Sequence, residues 1–193
     1  MVINHRIIIL VCIFSSLLVI LVSNQNIQGI FHSESSEEFI TYENPLYGIN
    51  IKYPTDWRYY EKNGPETFSP DRIFQVSFLS PSNKVLSDMV FVWFNIEKIK
   101  DSVSLDDRKD ILLKNLNNSS IDVKVQSTKL SGIDAFMIDY TNTAIELQRN
   151  IGIEAIRDGL LYSLDFTARP DTFEKNLDSI ETMIKSMNIS SFT

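Results

Sequence analysis

One short segment constrains the fold of this chain more than any other. MVFVWFNI, from Met89 to Ile96, is apolar on both faces when it is written as a β-strand, because successive side chains of a strand point to opposite sides. A strand of that kind is stable where both of its faces are covered. We therefore predict a central strand in a sheet that carries helices on both faces.

Several other segments alternate apolar and polar residues, as half-buried strands do. Ile49, Ile51 and Tyr53 form the first of them, between a turn and a proline. RIFQVSFL repeats the pattern before the central strand, and further candidates follow it: VKVQSTKL, AFMIDYT, RNIGIEAIR and LLYSLDFTAR. The Asp158-Gly159 pair between the last two predicts a hairpin turn.

Two segments have the spacing of amphipathic helices. The first begins at a pair that resembles a capping box, Ser104 and Asp107, and continues to Leu116. The second lies near the C-terminus, and Asp171 and Glu174 are expected to cap it. Its apolar face comprises Phe173, Leu177, Ile180, Ile184 and Met187.

Runs of strands between helices favour an α+β domain over a βαβ array. We predict an antiparallel β-sheet of about six to seven strands sandwiched between helices, preceded by an N-terminal hydrophobic helix. The expected divisions are a membrane anchor or signal segment at residues 1–23, a flexible polar tether at 24–38 and the folded domain at 39–193.

The N-terminal segment has the composition of a membrane-targeting sequence. Arg6 precedes an apolar run from Ile7 to Val22, which as a helix would extend about 24 Å against a hydrocarbon core of about 30 Å. Because Leu21 stands where a signal peptidase prefers a small residue, an uncleaved anchor is the first interpretation and a cleaved signal the second. The positive-inside rule then places the domain outside the cytoplasm, anchored or secreted.

Composition excludes several kinds of chemistry from the domain. The only Cys and His residues are Cys12, His5 and His32, and all of them precede residue 39. The domain therefore has no Ser-His-Asp triad, no Cys-His nucleophile and no zinc site built from His or Cys. The Gly-rich phosphate-binding motifs are also missing. We expect no catalytic residues, no cofactor and no metal site.

The charged residues bear on two further functions, nucleic-acid binding and carboxylate-based chemistry. The net charge is −7, and without a Lys/Arg cluster this argues against nucleic-acid binding. Asp134, Asp139, Glu154 and Asp165 lie on or beside predicted strands. Two carboxylates facing each other across a cleft would suit glycoside hydrolysis or binding of a hard cation. Their spacing does not require this, so we expect them on solvated strand faces.

The segment from Tyr42 to Trp57 resembles the start of PsbP-like domains. It has the form Tyr-x-Asn-Pro-x-Tyr-Gly-Ile-x-Ile-x-Tyr-Pro-x-x-Trp, and the ending TFEKNLDSIETMIKSMNI resembles the closing helix of that family. The resemblance covers roughly residues 39 to 190. It rests mostly on turn and core residues, so it implies a fold more strongly than a function.

The best-known member of that family is an extrinsic subunit of photosystem II, and related domains occur in non-photosynthetic prokaryotes. This N-terminus does not look like a transit peptide, and the domain has no His to bind a metal. The resemblance therefore implies a non-photosynthetic prokaryotic member, archaea included. It implies a non-catalytic accessory or binding module that is tethered to a membrane, lies outside the cytoplasm and assists a membrane protein complex.

Trp57 has two interpretations. Its indole either closes one end of the core beside Tyr53 and Pro54, or serves as a surface anchor for a partner. On the second interpretation, the contact residues are Asn44, Pro45, Tyr47, Gly48 and Trp57.

A carboxylate-based hydrolase and a carrier of a small apolar ligand are the alternatives to a binding module. A deep cleft holding two close carboxylates, one with a raised pKa, would favour the hydrolase. A large apolar cavity would favour the carrier, and a flat surface with an exposed aromatic patch would favour the binding module.

Overall fold

The structure, a computed structural model, describes residues 38–65, 70–82, 88–116, 120–144 and 146–190. The predicted N-terminal hydrophobic helix lies outside these residues, so the anchor, the signal segment and the tether remain predictions. Across the described ranges, no helix combines the length and the apolar character that a membrane crossing needs.

Ten strands and three helices make up the described part of the chain. The strands are β1 (Phe39–Asn44), β2 (Ile49–Pro54), β3 (Arg58–Asn63), β4 (Arg72–Leu79), β5 (Phe91–Lys98), β6 (Ser120–Leu130), β7 (Ile133–Asn142), β8 (Gln148–Arg157), β9 (Leu160–Ala168) and β10 (Asn188–Ile189). The helices are α1 (Leu105–Leu116), α2 (Pro170–Lys175) and α3 (Leu177–Ser186).

The strands form two antiparallel sheets. The large sheet has the order β3-β4-β5-β9-β8-β7-β6, and the small sheet has the order β1-β2-β10. The predicted α+β class is confirmed, but the predicted total of about six to seven strands is too low. β3 has no buried residue and so no alternating pattern, and β10 is only two residues long.

Strand β5 is central in the large sheet, as predicted for MVFVWFNI. Val92, Phe94 and Ile96 are fully buried on one of its faces. The opposite face carries Trp93 and Asn95, which are only partly buried. Helices lie on both faces of the sheet, as predicted, but the cover of the Trp93 face is incomplete, because α1 packs mainly on β7 and β8.

The core lies between the large sheet and a layer made of the small sheet and the C-terminal helices. Phe173 of α2 and Ile180 of α3 are fully buried in it. Each such side chain stabilises the fold by roughly 1.5–3 kcal/mol relative to exposure. The backbone N–H of Lys52 on β2 donates a hydrogen bond to Oγ of Ser186, at 2.9 Å, which joins the small sheet to α3.

Two local predictions are confirmed by hydrogen bonds and backbone angles. The N–H of Asp107 donates to Oγ of Ser104 at 3.1 Å, and the N–H of Ser104 donates to Oδ2 of Asp107 at 2.9 Å. These reciprocal bonds start α1. Asp158 and Gly159 have φ angles of 54° and 73°, which are the positive values that a tight hairpin between β8 and β9 requires.

The predicted cap of the C-terminal helix is wrong. The helical segment begins at Pro170, and its N-cap residue, Arg169, makes no side-chain capping bond. Proline is favoured at a first helical position because it has no N–H to satisfy. Glu174 instead forms an ion pair with Arg149 of β8. The segment is also divided at Asn176 into α2 and α3.

Candidate functional site

A cleft of about 400 Å³ lies between α1 and the face of the large sheet that points away from the core. Alternate residues of β4, β5, β9, β8 and β7 point into it, because side chains alternate across a strand. The polar and aromatic side chains that line it include Gln75, Trp93, Asn95, Tyr140, Asp165 and Thr167. The cleft is open to solvent and has a mixed polar and apolar surface.

The floor of the cleft is one row of neighbouring residues on three strands. Trp93 of β5 lies directly opposite Asp165 of β9, and Asp165 lies directly opposite Gly152 of β8. A Cβ atom at position 152 would come within 3.0 Å of Oδ1 of Asp165, so the glycine leaves the space that the carboxyl group occupies. The indole of Trp93 stacks on Phe91, with ring centroids 5.8 Å apart.

The carboxyl group of Asp165 is electrostatically unusual. Its pKa is raised from the ordinary value near 3.8 to about 7. Burial is the largest cause, and the negative charges of Glu154 and Glu97 contribute to the rise. A hydrogen bond from the Ser163 hydroxyl and the charge of Arg108 oppose the rise in the pKa. Close to neutral pH, this group is therefore able to donate or accept a proton.

Glu154 is held in place by Arg108 of α1. The guanidinium donates two hydrogen bonds, from Nε to Oε2 at 3.0 Å and from Nη2 to Oε1 at 2.8 Å. The residue Glu154 is only 6% exposed, and the bidentate pair raises the pKa of Arg108. Both oxygens of Glu154 are thus used in fastening α1 to the sheet.

A short hydrogen-bond chain supports Asp165 from the β5 side. Nδ2 of Asn95 donates to Oγ of Ser163 at 3.3 Å, and the hydroxyl of Ser163 donates a hydrogen bond to the Asp165 carboxylate.

Tyr140 of β7 also lines the cleft. Its pKa is raised by burial and by the charge of Asp165.

Thr167 contributes a buried polar atom to the cleft. The residue is 9% exposed, and its Oγ1 has no hydrogen-bond partner among the described residues. It lies directly opposite Asn150 of β8, whose Nδ2 donates to the carbonyl of Gln148 at 3.0 Å. A buried hydroxyl without a partner costs free energy, so this atom points to a hydrogen bond that a ligand would supply.

The residues predicted as partner contacts lie apart from the cleft lining. Asn44, Pro45, Tyr47 and Gly48 form the turn between β1 and β2, where the ring of Tyr47 stacks on Phe74 at 4.4 Å. Trp57 is 5% exposed and belongs to the core, which agrees with the first interpretation of its role. Whether the turn contacts a partner stays a prediction.

The four carboxylates considered in the sequence, Asp134, Asp139, Glu154 and Asp165, lie in different environments in the structure. The expectation of solvated strand faces is wrong for Glu154, which is buried, and for Asp165, and both of them line the cleft. Asp134 pairs with Lys129 at 2.6 Å on the surface, and Asp139 pairs with Arg149 at 3.0 Å. Within the described ranges, no group of His, Cys, Asp or Glu is arranged to hold a metal ion.

Trp93, Asn95 and Gly152 were not predicted as site residues. Two signals in the sequence point to Asn95 and Gly152. Asn95 is an amide within an apolar strand segment. Gly152 lies inside a strand, where a glycine often marks the close approach of another group. Trp93 lies in the segment MVFVWFNI, whose apolar character predicts a covered strand rather than a site.

Solved structures of low sequence identity share this fold. Cyanobacterial PsbP (CyanoP) from Synechocystis sp. PCC 6803 has a TM-score of 0.57 and 13% identity, covering 84% of this chain and 98% of that one. LpqN, involved in cell envelope biogenesis of Mycobacterium tuberculosis, has a TM-score of 0.54 and 13% identity, covering 89% and 95%. No curated protein sequence matches this chain.

A family model provides the evidence that connects the sequence to a family. The model described as PsbP-like protein matches residues 1–189, which is nearly the whole chain. The chain belongs to the PsbP-like family.

Proposed function

We propose that this protein is a non-catalytic binding module, held outside the cytoplasm by its N-terminal segment, and that the cleft is its recognition site. The observation that carries the proposal is made at Thr167, a residue of the cleft lining whose buried hydroxyl lacks a partner among the described residues. The apolar run from Ile7 to Val22 supports the tethering. Assistance to a membrane protein complex is proposed from the family and from the tether together.

The form of the cleft distinguishes this function from a carrier of an apolar ligand. Such a carrier needs a large apolar cavity. Here amide, hydroxyl and carboxyl groups line the space: Gln75, Asn95, Asn150, Thr167 and Asp165. An open cleft that combines these polar groups with aromatic and aliphatic side chains suits a ligand, or a part of a partner, that has both polar and apolar groups.

Native mass spectrometry of the full-length chain, purified in detergent from its own membranes, tests the proposal. We expect a bound small molecule or partner that the Trp93→Ala variant loses. The Tyr60→Ala variant is the control, because Tyr60 is 54% exposed and lies outside the cleft. The same bound species in all three proteins, or no bound species in any of them, would contradict the proposal.

A hydrolase is the second candidate, and one observation favours it. Asp165 has a pKa of about 7 and lies near the carboxylate of Glu154, as an acid–base pair would. Against it, both oxygens of Glu154 are bonded to Arg108, so Glu154 is not free to act as the second carboxylate. Turnover of aryl glycosides by the native chain, abolished in Asp165→Asn, would support the hydrolase over the binding module.

A further inference from the structure

We propose that the cleft binds a small organic cation, an alkylammonium group held between the indole of Trp93 and the carboxylate of Asp165. This inference rests on the proposed function, because it names the chemical class of ligand for the same cleft. Three independent features of the site lead to it: an aromatic–carboxylate pair, the balance of charge, and the buried hydroxyl of Thr167.

The first feature is the pairing of an aromatic ring with a carboxylate. Trp93 and Asp165 are directly opposite each other on β5 and β9, and both line the cleft. Side chains in that relation have Cβ atoms roughly 4.5–5.5 Å apart. A cation between them is attracted by the negative face of the indole and by the carboxylate at once. Partial removal of water from the cleft strengthens both attractions.

The second feature is the balance of charge around Asp165. The charged and titratable groups that act on it or share its cleft are Glu154, Glu97, Arg72, Arg108 and Tyr140. Arg108 is bonded to Glu154. Arg72 is a register partner of Glu97 across β4 and β5. Counted by formal charge, the two arginines offset the two glutamates, so an ionised Asp165 carries the excess negative charge.

A proton or a cationic ligand can neutralise this excess charge. Burial raises the pKa of Asp165 to about 7, so without a ligand a proton occupies the site in neutral or mildly acidic solution. A bound cation would take the place of that proton. Binding is therefore expected to release a proton and to strengthen as the pH rises.

The third feature is the polar end of the cleft. Thr167 lies two residues along β9 from Asp165, on the same face, and its Oγ1 has no partner among the described residues. Two residues of a strand span roughly 6.6 Å. A ligand that carries a hydroxyl group a few ångströms from its ammonium group would bond Thr167 while its charge lies beside Trp93.

Choline and its uncharged isostere, 3,3-dimethylbutan-1-ol, show whether binding depends on the positive charge of the ligand or only on its shape. Both carry the same hydroxyl group, and only choline is a cation. Calorimetric titrations would use the full-length chain in a maltoside detergent, because a phosphocholine detergent would compete. At pH 8 we expect choline to bind at least tenfold more tightly than the alcohol. At pH 6 its affinity should fall about tenfold, since only about a tenth of Asp165 is then ionised.

Variants test the two contacts separately. Asp165→Asn should abolish the preference for choline and its pH dependence, and the variant should fold, because the native carboxyl group is itself neutral at mildly acidic pH. Trp93→Ala should weaken binding by at least tenfold, and Tyr60→Ala should leave it unchanged. Equal affinity for the two probes, or unchanged binding of choline by Asp165→Asn, would overturn the inference.

The outcomes also separate this inference from the proposed function. If neither probe binds but mass spectrometry finds a Trp93-dependent ligand, the cation inference fails and the binding module stands. A neutral sugar as that ligand would be one such result. If no ligand is found by either route, both fail.

Discussion

Gly152 and Asp165 lie directly opposite each other on β8 and β9, and a Cβ atom at position 152 would meet Oδ1 of Asp165 at 3.0 Å. The nearest other atom, Cγ2 of Ile138, would be 3.3 Å away. Because Gly152 has no side chain, the carboxyl group of Asp165 can occupy the floor of the cleft.

Gly152→Ala is expected to displace the Asp165 carboxyl group and to weaken ligand binding by at least tenfold. Alanine usually stabilises a strand relative to glycine by roughly 0.5–1 kcal/mol, and the clash should cancel this gain. A double-mutant cycle with Asp165→Ala checks the cause. Gly152→Ala should be less destabilising when Asp165 is already alanine, because only the contact with Ile138 then remains; a destabilisation of equal size in both backgrounds would contradict the account.

Asp165 should make the protein less stable as the pH rises. Its folded-state pKa of about 7 lies above the ordinary value near 3.8, so between these pH values the folded state binds more protons than the unfolded state. Stability therefore falls as the pH rises from about 4 to about 7. Because the residue is partly exposed, we expect Asp165→Asn to gain only on the order of 1–2 kcal/mol at pH 8.

Urea unfolding at pH 5 and pH 8 measures this difference. The Asn variant should lose much of the change in unfolding free energy between the two pH values, whereas Asp110→Asn, at an exposed position of α1, should not. An unchanged pH dependence in Asp165→Asn would show that this carboxyl group titrates normally.

Arg108→Ala should destabilise the protein by about 2–4 kcal/mol, because it leaves the buried Glu154 carboxylate without its partner. It also removes a positive charge that lowers the pKa of Asp165, so that pKa should rise. Chemical denaturation gives the first value, and carboxyl ¹³C shifts followed against pH give the second. Adding Glu154→Gln should restore part of the stability; a double variant no more stable than Arg108→Ala would contradict the ion-pair explanation.

Gly48→Ala should destabilise the turn between β1 and β2 for two reasons. Its φ of +62° is unfavourable for residues with a Cβ atom, and that atom would lie 3.0 Å from the carbonyl oxygen of Ser190. Gly64→Ala is the matched control, with φ of +80° and no atom within 4 Å.

We expect a loss of about 2–3 kcal/mol for Gly48→Ala and about 1 kcal/mol for Gly64→Ala in thermal or urea unfolding. Equal losses would mean that the contact with Ser190 contributes nothing.

Alternation of apolar and polar residues was enough to predict most of the large sheet. β4 has one buried face, so its pattern is visible in the sequence, whereas β8 and β9 contain runs of consecutive buried residues. β3 could not be found in this way, because RYYEKN is exposed at every position and is defined by its pairing with β4. The division at Asn176 was also hidden, since the apolar spacing from Phe173 to Met187 continues across it.

The candidate site was only partly visible in the sequence, because it depends on contacts between distant strands. Glu154 and Asp165 are both visible in the sequence as candidate site carboxylates. Nothing in their spacing shows that Arg108 binds Glu154 and not Asp165. The neighbour relation of Trp93 and Asp165 arises from the pairing of β5 with β9. Such register is a property of the folded sheet rather than of either segment.

The central claim is that the cleft, and not the turn between β1 and β2, is the recognition site. Leu112 lines the cleft, and Leu46 is 73% exposed in the turn. A photoreactive diazirine analogue of leucine can replace either residue in the full-length chain in its native cells, and mass spectrometry then identifies the adducts. The account predicts a defined adduct from position 112 that Trp93→Ala abolishes, and none from position 46. A defined adduct from position 46 alone would contradict it and would establish the turn as the contact surface.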